Sequence, residues 1–266
     1  MRKESSFPKV AVYTITYNQC EIVTKTILGL FAQDYPPDQY EIIVLNDGSG
    51  DNTLDALQTL ARKSPVPMLV LDSAHEADYL SAKRWNQCIA AASARSQVLI
   101  QIDDVRLRSD LIRQHIKWHQ KGPSFLVTGA KYEGPTETWD LSSCRRARLA
   151  GPKGEASETT IFTAVWGASM SFSRRLMERV YRPPYDLPYD EQMSGWGFHE
   201  VEMAFRMKQA GAQMVYDPAA GVFHEDHSPE SEARRRLNRE KLVEVGIKNN
   251  EHYLLGKHKL TELPRW

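Results

Sequence analysis

Two successive acids, Asp103-Asp104, close the apolar run Val98-Leu99-Ile100-Gln101-Ile102. Carboxylates there would stand at the edge of a buried sheet, where hard oxygen donors hold Mg2+ or Mn2+. Such a cation offsets the charge that builds on a departing diphosphate. The plainer use of Asp104 is to cap or turn the chain before the next helix. Asn46-Asp47-Gly48-Ser49 also follows an apolar run, Tyr40 to Leu45. Asp47 is suited to accept from a base or ribose donor, although the same composition makes an ordinary strand-to-helix turn.

Glu200 lies in Gly195-Trp196-Gly197-Phe198-His199-Glu200-Val201-Glu202, close to the start of an amphipathic helix. The helix dipole favours its ionised form. That suits it to take a proton from an acceptor hydroxyl, or simply to stabilise the helix start. The paired glycines bring Trp196 to a bent loop that can offer an aromatic face to a pocket. Glu202 and Arg206 are four apart and are expected to pair on the helix surface. His224, in His224-Glu225-Asp226-His227, can complete a metal site begun by Asp104 or serve structure alone. The arginines of Arg145-Arg146-Ala147-Arg148 and Arg234-Arg235-Arg236 suit phosphate, and suit solvated loop and helix faces equally well.

These residues need a scaffold, and the first half of the chain supplies its pattern. Strand signals at Val10 to Thr16, Tyr40 to Leu45, Met68 to Leu71 and Gln97 to Ile102 alternate with helical spacing over Glu21 to Gln33, Asn52 to Arg62 and Tyr79 to Ala94. Strands separated by helices of this length imply parallel βαβ units with right-handed crossovers. Ligands in such sheets bind beyond the carboxyl ends of the strands. Thr16-Tyr17-Asn18, Asn46-Asp47 and Asp103-Asp104 all fall there. Further on, Ser109 is expected to cap a helix reaching Gln120, Phe125 to Lys131 reads as a strand, and residues 133–160 read as loop. Trp166 to Phe172 is compact and apolar, and Glu200 to Ala210 is a helix. Met214 to Tyr216 and Gly221 to Phe223 read as two short strands, with a charged helix from Glu230 onward.

Composition narrows the class of protein. The 266 residues carry 34 Lys plus Arg against 34 Asp plus Glu. No global field therefore draws the chain to nucleic acid. Three scattered cysteines form no CxxC pair, so neither a disulfide framework nor a structural zinc site is expected. No secretory signal or membrane-spanning run is apparent. A cytoplasmic protein, free or peripheral to a membrane, is the expectation.

Taken in order, these segments resemble the family-2 inverting glycosyltransferases with their GT-A fold, over roughly residues 8–227. VAVYTITYNQ resembles the opening strand with its Thr-Tyr-Asn turn, and LFAQDYPPDQYEIIVLNDGSGDNT the segment leading to Asp-Asp-Gly-Ser. SAKRWNQCIAAA resembles the Ala-Arg-Asn helix, and VLIQIDD occupies the metal-motif position. WGASMSFSRRLMERV and YDEQMSGWGFHEVEMAFRMKQAG resemble the acceptor-side segment, and GVFHEDH supplies the late His.

The resemblance implies a GT-A domain over residues 1–228. Its nucleotide-sugar half would cover about 8–105 and its acceptor half 106–228, with a C-terminal helical extension over 229–266. It implies a nucleotide-sugar donor, UDP-sugar favoured, a divalent cation, and a glycan, lipid-linked or small-molecule acceptor. A homodimer is compatible with it. Thr16 is implied in the nucleotide-sugar site, Tyr17 and Asp47 at the base, Arg84 and Asn86 near diphosphate or ribose, and Asp103 near ribose or sugar. Asp104 and His224 are implied as metal ligands, Trp196 and Gly197 as pocket walls, and Glu200 as base with Glu202 as the alternative.

Three departures stand out. Asn46 replaces the first acid of Asp-Asp-Gly-Ser, Val105 the last acid of Asp-x-Asp, and His199-Glu200 the usual Glu-Asp. A non-catalytic nucleotide-sugar-binding relative is one competing reading. A nucleotidyltransferase is another, but it would want a glycine-rich loop with Arg and Lys after the first strand, where this chain has Thr16-Tyr17-Asn18-Gln19.

Overall fold

The structure is a computed structural model that describes residues 7–76, 81–180, 187–225 and 244–265. Among the described residues eight strands, numbered β1 to β8 along the chain, form one sheet in the order β3-β2-β1-β4-β7-β5-β8-β6. The first four are β1 (Val10–Thr16), β2 (Tyr40–Asn46), β3 (Met68–Asp72) and β4 (Val98–Ile102). They are mutually parallel and joined through α1 (Cys20–Phe31), α2 (Thr53–Arg62) and α3 (Ser81–Ala91).

The near-continuous apolar runs of β1, β2 and β4 follow from burial on both faces, whereas β3, at the sheet edge, is only partly covered. On β1, Val10 and Val12 pack with Ile27, Leu57 and Ile112 on one side of the sheet, while Ala11 and Tyr13 pack with Trp85, Leu176 and Met203 on the other. The chain builds outward from β1 to β3, then crosses back to place β4 on the far side of β1. That reversal opens a crevice beyond the carboxyl ends of β1 and β4, where open α/β sheets take ligands.

The second half completes the sheet with β5 (Phe125–Gly134), β6 (Ser157–Thr159), β7 (Ser169–Ser173) and β8 (Gln213–Glu225). β7 runs antiparallel between β4 and β5, β8 is parallel to β5, and β6 is an antiparallel edge. Six of the eight strands therefore point the same way. The two short strands expected near 214 and 221 form one strand, β8. It pairs with β5 over Gln213–Asp217 and again over Val222–Glu225, and the register shifts between the two stretches. The unpaired residues 218–221 bulge between them, which accommodates Pro218 without a missing ladder donor.

Helices α4 (Leu111–His119), α5 (Arg174–Val180), α6 (His199–Gln209) and α7 (Glu244–His258) cover the sheet and its ends. The residue at the α4 cap position is Asp110, one after the expected Ser109, and its side chain makes no capping bond. α5 was not expected from the sequence. The expected helix start at Glu230 and the Arg234-Arg235-Arg236 run lie outside the described residues, as do Asp226 and His227. No helix among the described residues is long and apolar enough to cross a membrane.

Candidate active site

The carboxyl ends of β1, β2 and β3 bring four side chains together. Arg84 Nε donates to Asp47 Oδ1 at 2.5 Å, and His75 Nδ1 stands 3.0 Å from Asp47 Oδ2. A further Arg84 nitrogen donates to the Ala74 carbonyl, tying α3 to the loop after β3. The His75 ring lies flat on Tyr17, with centroids 4.0 Å apart and planes within 8°. Tyr17 is 43% exposed and Trp196 45%, and they are the two exposed large aromatic side chains among the described residues. Thr16, at the end of β1, buries a hydroxyl that has no partner among the described residues. His75 was not singled out in the sequence. Its signal was a ring-bearing residue in the turn after β3, at the same sheet edge as Asp47.

The Asn46 departure has a local reason. Its amide donates to Asp72 Oδ1 at 2.7 Å, and its carbonyl oxygen lies 3.4 Å from the Ser49 amide. An aspartate would have no proton to offer Asp72 and would repel it. Asn86 was expected beside the nucleotide, but its amide has another use. It donates to the Tyr189 carbonyl and to Glu191, and its oxygen accepts from the Tyr189 amide. The side chain is buried and clamps the loop before α6 onto α3.

β4 runs on into the acidic pair. The Asp103 amide donates to the Ala168 carbonyl, and Thr26 of α1 bonds both the amide and the carbonyl of Val105. Arg106 and Phe223 exchange backbone hydrogen bonds of 2.7 and 3.0 Å. This bridge lays the Asp104 segment antiparallel to the end of β8, so Asp104 and His224 fall in adjacent segments. Beyond them, Arg106 donates twice to Glu225, which Lys25 also pairs. The Arg106 bonds, despite partial burial, hold the Glu225 carboxyl below its usual range.

Among the described residues no group of three or more His, Cys, Asp and Glu side chains converges as a metal cage. A carboxylate nonetheless suits Mg2+ or Mn2+, and Mg2+ is commonly bound through one or two carboxylates, with phosphate oxygens and water completing its shell. Asp104 would supply such a carboxylate, with His224 in the adjacent segment as the further ligand.

Glu200 begins α6 with its carboxylate turned toward β4. Gln101 Nε2 donates to its Oε1 at 3.2 Å. Burial raises the Glu200 pKa above the usual carboxylate range, against the bond from Gln101 and the nearby charge of Arg146. Room for the longer acid comes from Gly167, where a Cβ would stand 2.3 Å from Glu200 Oε1 and 2.5 Å from Gln101 Nε2. Arg146 was read as part of a solvated or phosphate-facing cluster. It is instead half-buried, stacked 4.1 Å over the Trp166 ring and donating to the Ala164 and Val165 carbonyls. Burial lowers its pKa to about 10. The neighbouring His199 points inward to the Met193 carbonyl, and burial holds its pKa at about 4, so it is neutral near pH 7.

Glu202 does not reach this site. It is fully buried on the other side of α6, where Arg206, Lys257 and His258 bond it at 2.7–3.0 Å. Burial alone would raise its pKa, but these partners, His258 foremost, bring it down to about 2. The expected surface pair with Arg206 is thus an interior cluster. Lys257 also pairs Asp190, whose carboxylate accepts from Tyr253.

α7 fastens the Gly195–Gly197 loop from the same direction. Asn250 donates to the Gly197 carbonyl at 2.9 Å, and a Cβ on Gly246 would meet the Trp196 amide at 2.6 Å. The loop itself turns through positive φ at Gly195, Gly197 and Phe198. Two of these three carry glycine, which enters that region without a Cβ clash.

The family model described as glycosyl transferase family 2 matches residues 11–181, more than half of the chain. The chain belongs to glycosyl transferase family 2. Among curated relatives, it is 31% identical over 122 residues to the uncharacterized glycosyltransferase YfnE of Bacillus subtilis, a match covering 46% of this chain and 29% of that one. It is 35% identical over 54 residues to the dolichyl N-acetyl-alpha-D-glucosaminyl phosphate 3-beta-D-2,3-diacetamido-2,3-dideoxy-beta-D-glucuronosyltransferase of Methanococcus voltae. That match covers 20% of this chain and 17% of the relative, so both span less than a third of the curated relatives' lengths.

The mannosyltransferase PcManGT of Pyrobaculum calidifontis, solved with GDP-Man and Mn2+, superimposes with a TM-score of 0.66 at 16% identity, over 98% of this chain and 67% of that one. TarS 1–349 of S. aureus, solved with UDP, gives 0.62 at 15% identity, over 85% and 62%. These likenesses establish the GT-A fold.

Proposed function

We propose that this chain transfers a sugar from a nucleoside-diphosphate sugar, a UDP-sugar in first place, to an acceptor hydroxyl with inversion at the anomeric carbon. One observation carries the reading. A half-buried glutamate held by Gln101 stands beside the Asp103-Asp104 end of β4, while Tyr17, His75, Asp47 and Arg84 gather across the β1/β4 crevice. The nucleotide-sugar half, about residues 8–105, offers Tyr17 and His75 as an aromatic platform and Asp47 as acceptor for a base N–H. The buried Thr16 hydroxyl gains a partner from the bound nucleotide, which relieves a cost of about 1–3 kcal/mol for an unmet polar group.

Asp104 and His224 would hold Mn2+ or Mg2+, which when bound neutralises charge on the leaving diphosphate. PcManGT carries Mn2+ with its GDP-Man, in keeping with this assignment. The acceptor half, about 106–228, places Trp196 and Gly197 beside the incoming hydroxyl. Glu200 takes the hydroxyl proton as the acceptor oxygen bonds to the anomeric carbon. The bond from that carbon to the diphosphate oxygen breaks, and its electron pair leaves with the nucleoside diphosphate. The raised Glu200 pKa suits a base that must work near neutrality.

Calorimetric titration of UDP and GDP, with and without Mn2+, tests the donor site in the parent protein and in Asp104→Ala. Metal-dependent binding of one nucleotide, lost in the variant, is expected. Absence of binding by UDP, GDP, dTDP and CMP alike would overturn the nucleotide-sugar assignment.

A further inference from the structure

Gln101 is polar in the middle of a sheet. It is fully buried on β4, between apolar neighbours Ile100 and Ile102. An amide there is costly unless every group is bonded. Its oxygen faces two phenols, Tyr189, which donates to it in a short bond, and Tyr13, whose hydroxyl lies 3.5 Å away. The two hydroxyls are 3.4 Å apart, so the three groups form one closed cluster. Burial drives the pKa of both phenols far up, and they stay protonated and able to donate. With its oxygen occupied in this way, the amide presents its NH2 to Glu200 Oε1.

We propose that Gln101 is a positioning residue for Glu200, its amide locked by Tyr13 and Tyr189 so that an N–H donor always faces the carboxylate. The inference rests on the reading of Glu200 as the base and adds what orients it. A terminal amide free to rotate would bond the protonated acid as readily, through its oxygen, as the carboxylate through its NH2. Holding the oxygen on the phenols removes the first option and favours the ionised base. Three elements meet in the lock: Tyr13 from β1, Gln101 from β4, and Tyr189 from the loop that Asn86 clamps to α3. The loop's position is thereby coupled to the state of Glu200. Gly167 completes the device, since any side chain there would enter the space between donor and carboxylate.

The test reads Glu200 directly. Protein labelled with 13C at glutamate Cδ is titrated by NMR, and the Glu200 signal is the one lost in Glu200→Gln. In Gln101→Met the Glu200 midpoint is expected to rise by about one pH unit, a tenfold lower ratio of ionised to protonated acid at a given pH. In Tyr189→Phe it rises by less, in the same direction. An unchanged midpoint in folded Gln101→Met overturns the proposal. If that variant does not fold, Tyr189→Phe decides alone, a rise supporting the lock and an unchanged midpoint overturning it. Release of UDP from UDP-GlcNAc, with water as acceptor, is measured alongside. Turnover retained in Glu200→Gln would remove the base assignment itself, and the titration separates that failure from failure of the lock.

Discussion

Removing the charge of Glu202 should loosen the end of the chain without touching a reacting group. The side chain is fully buried, and its partners bring its pKa from an ordinary value of 4.5 to about 2. A depressed carboxylate adds stability above its unfolded pKa and loses it as the pH falls through its folded one. That depression corresponds to about 3 kcal/mol at pH 7, to less than half of that at pH 3, and to little near pH 2. Glu202→Gln keeps the shape and leaves Arg206 and Lys257 facing a neutral amide, so about 3 kcal/mol of destabilisation is expected at pH 7. Urea unfolding of the parent and Glu202→Gln at pH 7, 5 and 3 measures the gap. It should be nearly constant from pH 7 to 5 and at least halved at pH 3. A gap that does not change between pH 7 and 3 would show that the cluster does not hold Glu202 ionised in the folded state.

Three other outcomes follow from the site. Glu200→Gln should lower turnover by about 10^2–10^4-fold while UDP affinity stays within twofold, as kinetics and calorimetry on one preparation would show. Gly167→Ala forces Glu200 and Gln101 apart and should depress turnover with little change in nucleotide binding, and parental turnover in the variant would contradict the close approach seen there. Tyr17→Ala removes the stacking partner of His75 and should weaken UDP binding about tenfold, so unchanged affinity would place the base elsewhere.

The parallel half was legible because its signals are local. β1 to β4 are continuous apolar runs bounded by turn residues, and their observed limits lie within a residue of those read from the sequence. The second half depends on partners distant in the chain. β7 is antiparallel between β4 and β5, a relation that no short window of sequence encodes. Met214 to Tyr216 and Gly221 to Phe223 read as two short strands, yet the bulge at 218–221 carries Pro218 within a single one. The acids at the strand ends were legible for the same reason as the strands. What orients Glu200 was not, because Tyr13 and Gln101 are 88 residues apart and Tyr189 a further 88. Glu202 and Arg206 were recognisable as a pair, but only the packing of α7 makes that pair interior.

α6 carries the candidate base on one face and the ion-pair cluster on another, two residues along. A helix turn is stiff on the scale of a hydrogen bond, so the two faces cannot move independently. Substitutions at Asp190, Lys257 or Asn250 would therefore mimic lesions of the reacting centre while lying outside it. For anyone reshaping the loop that carries Trp196, α7 belongs inside the region to be varied, because it holds that loop from behind.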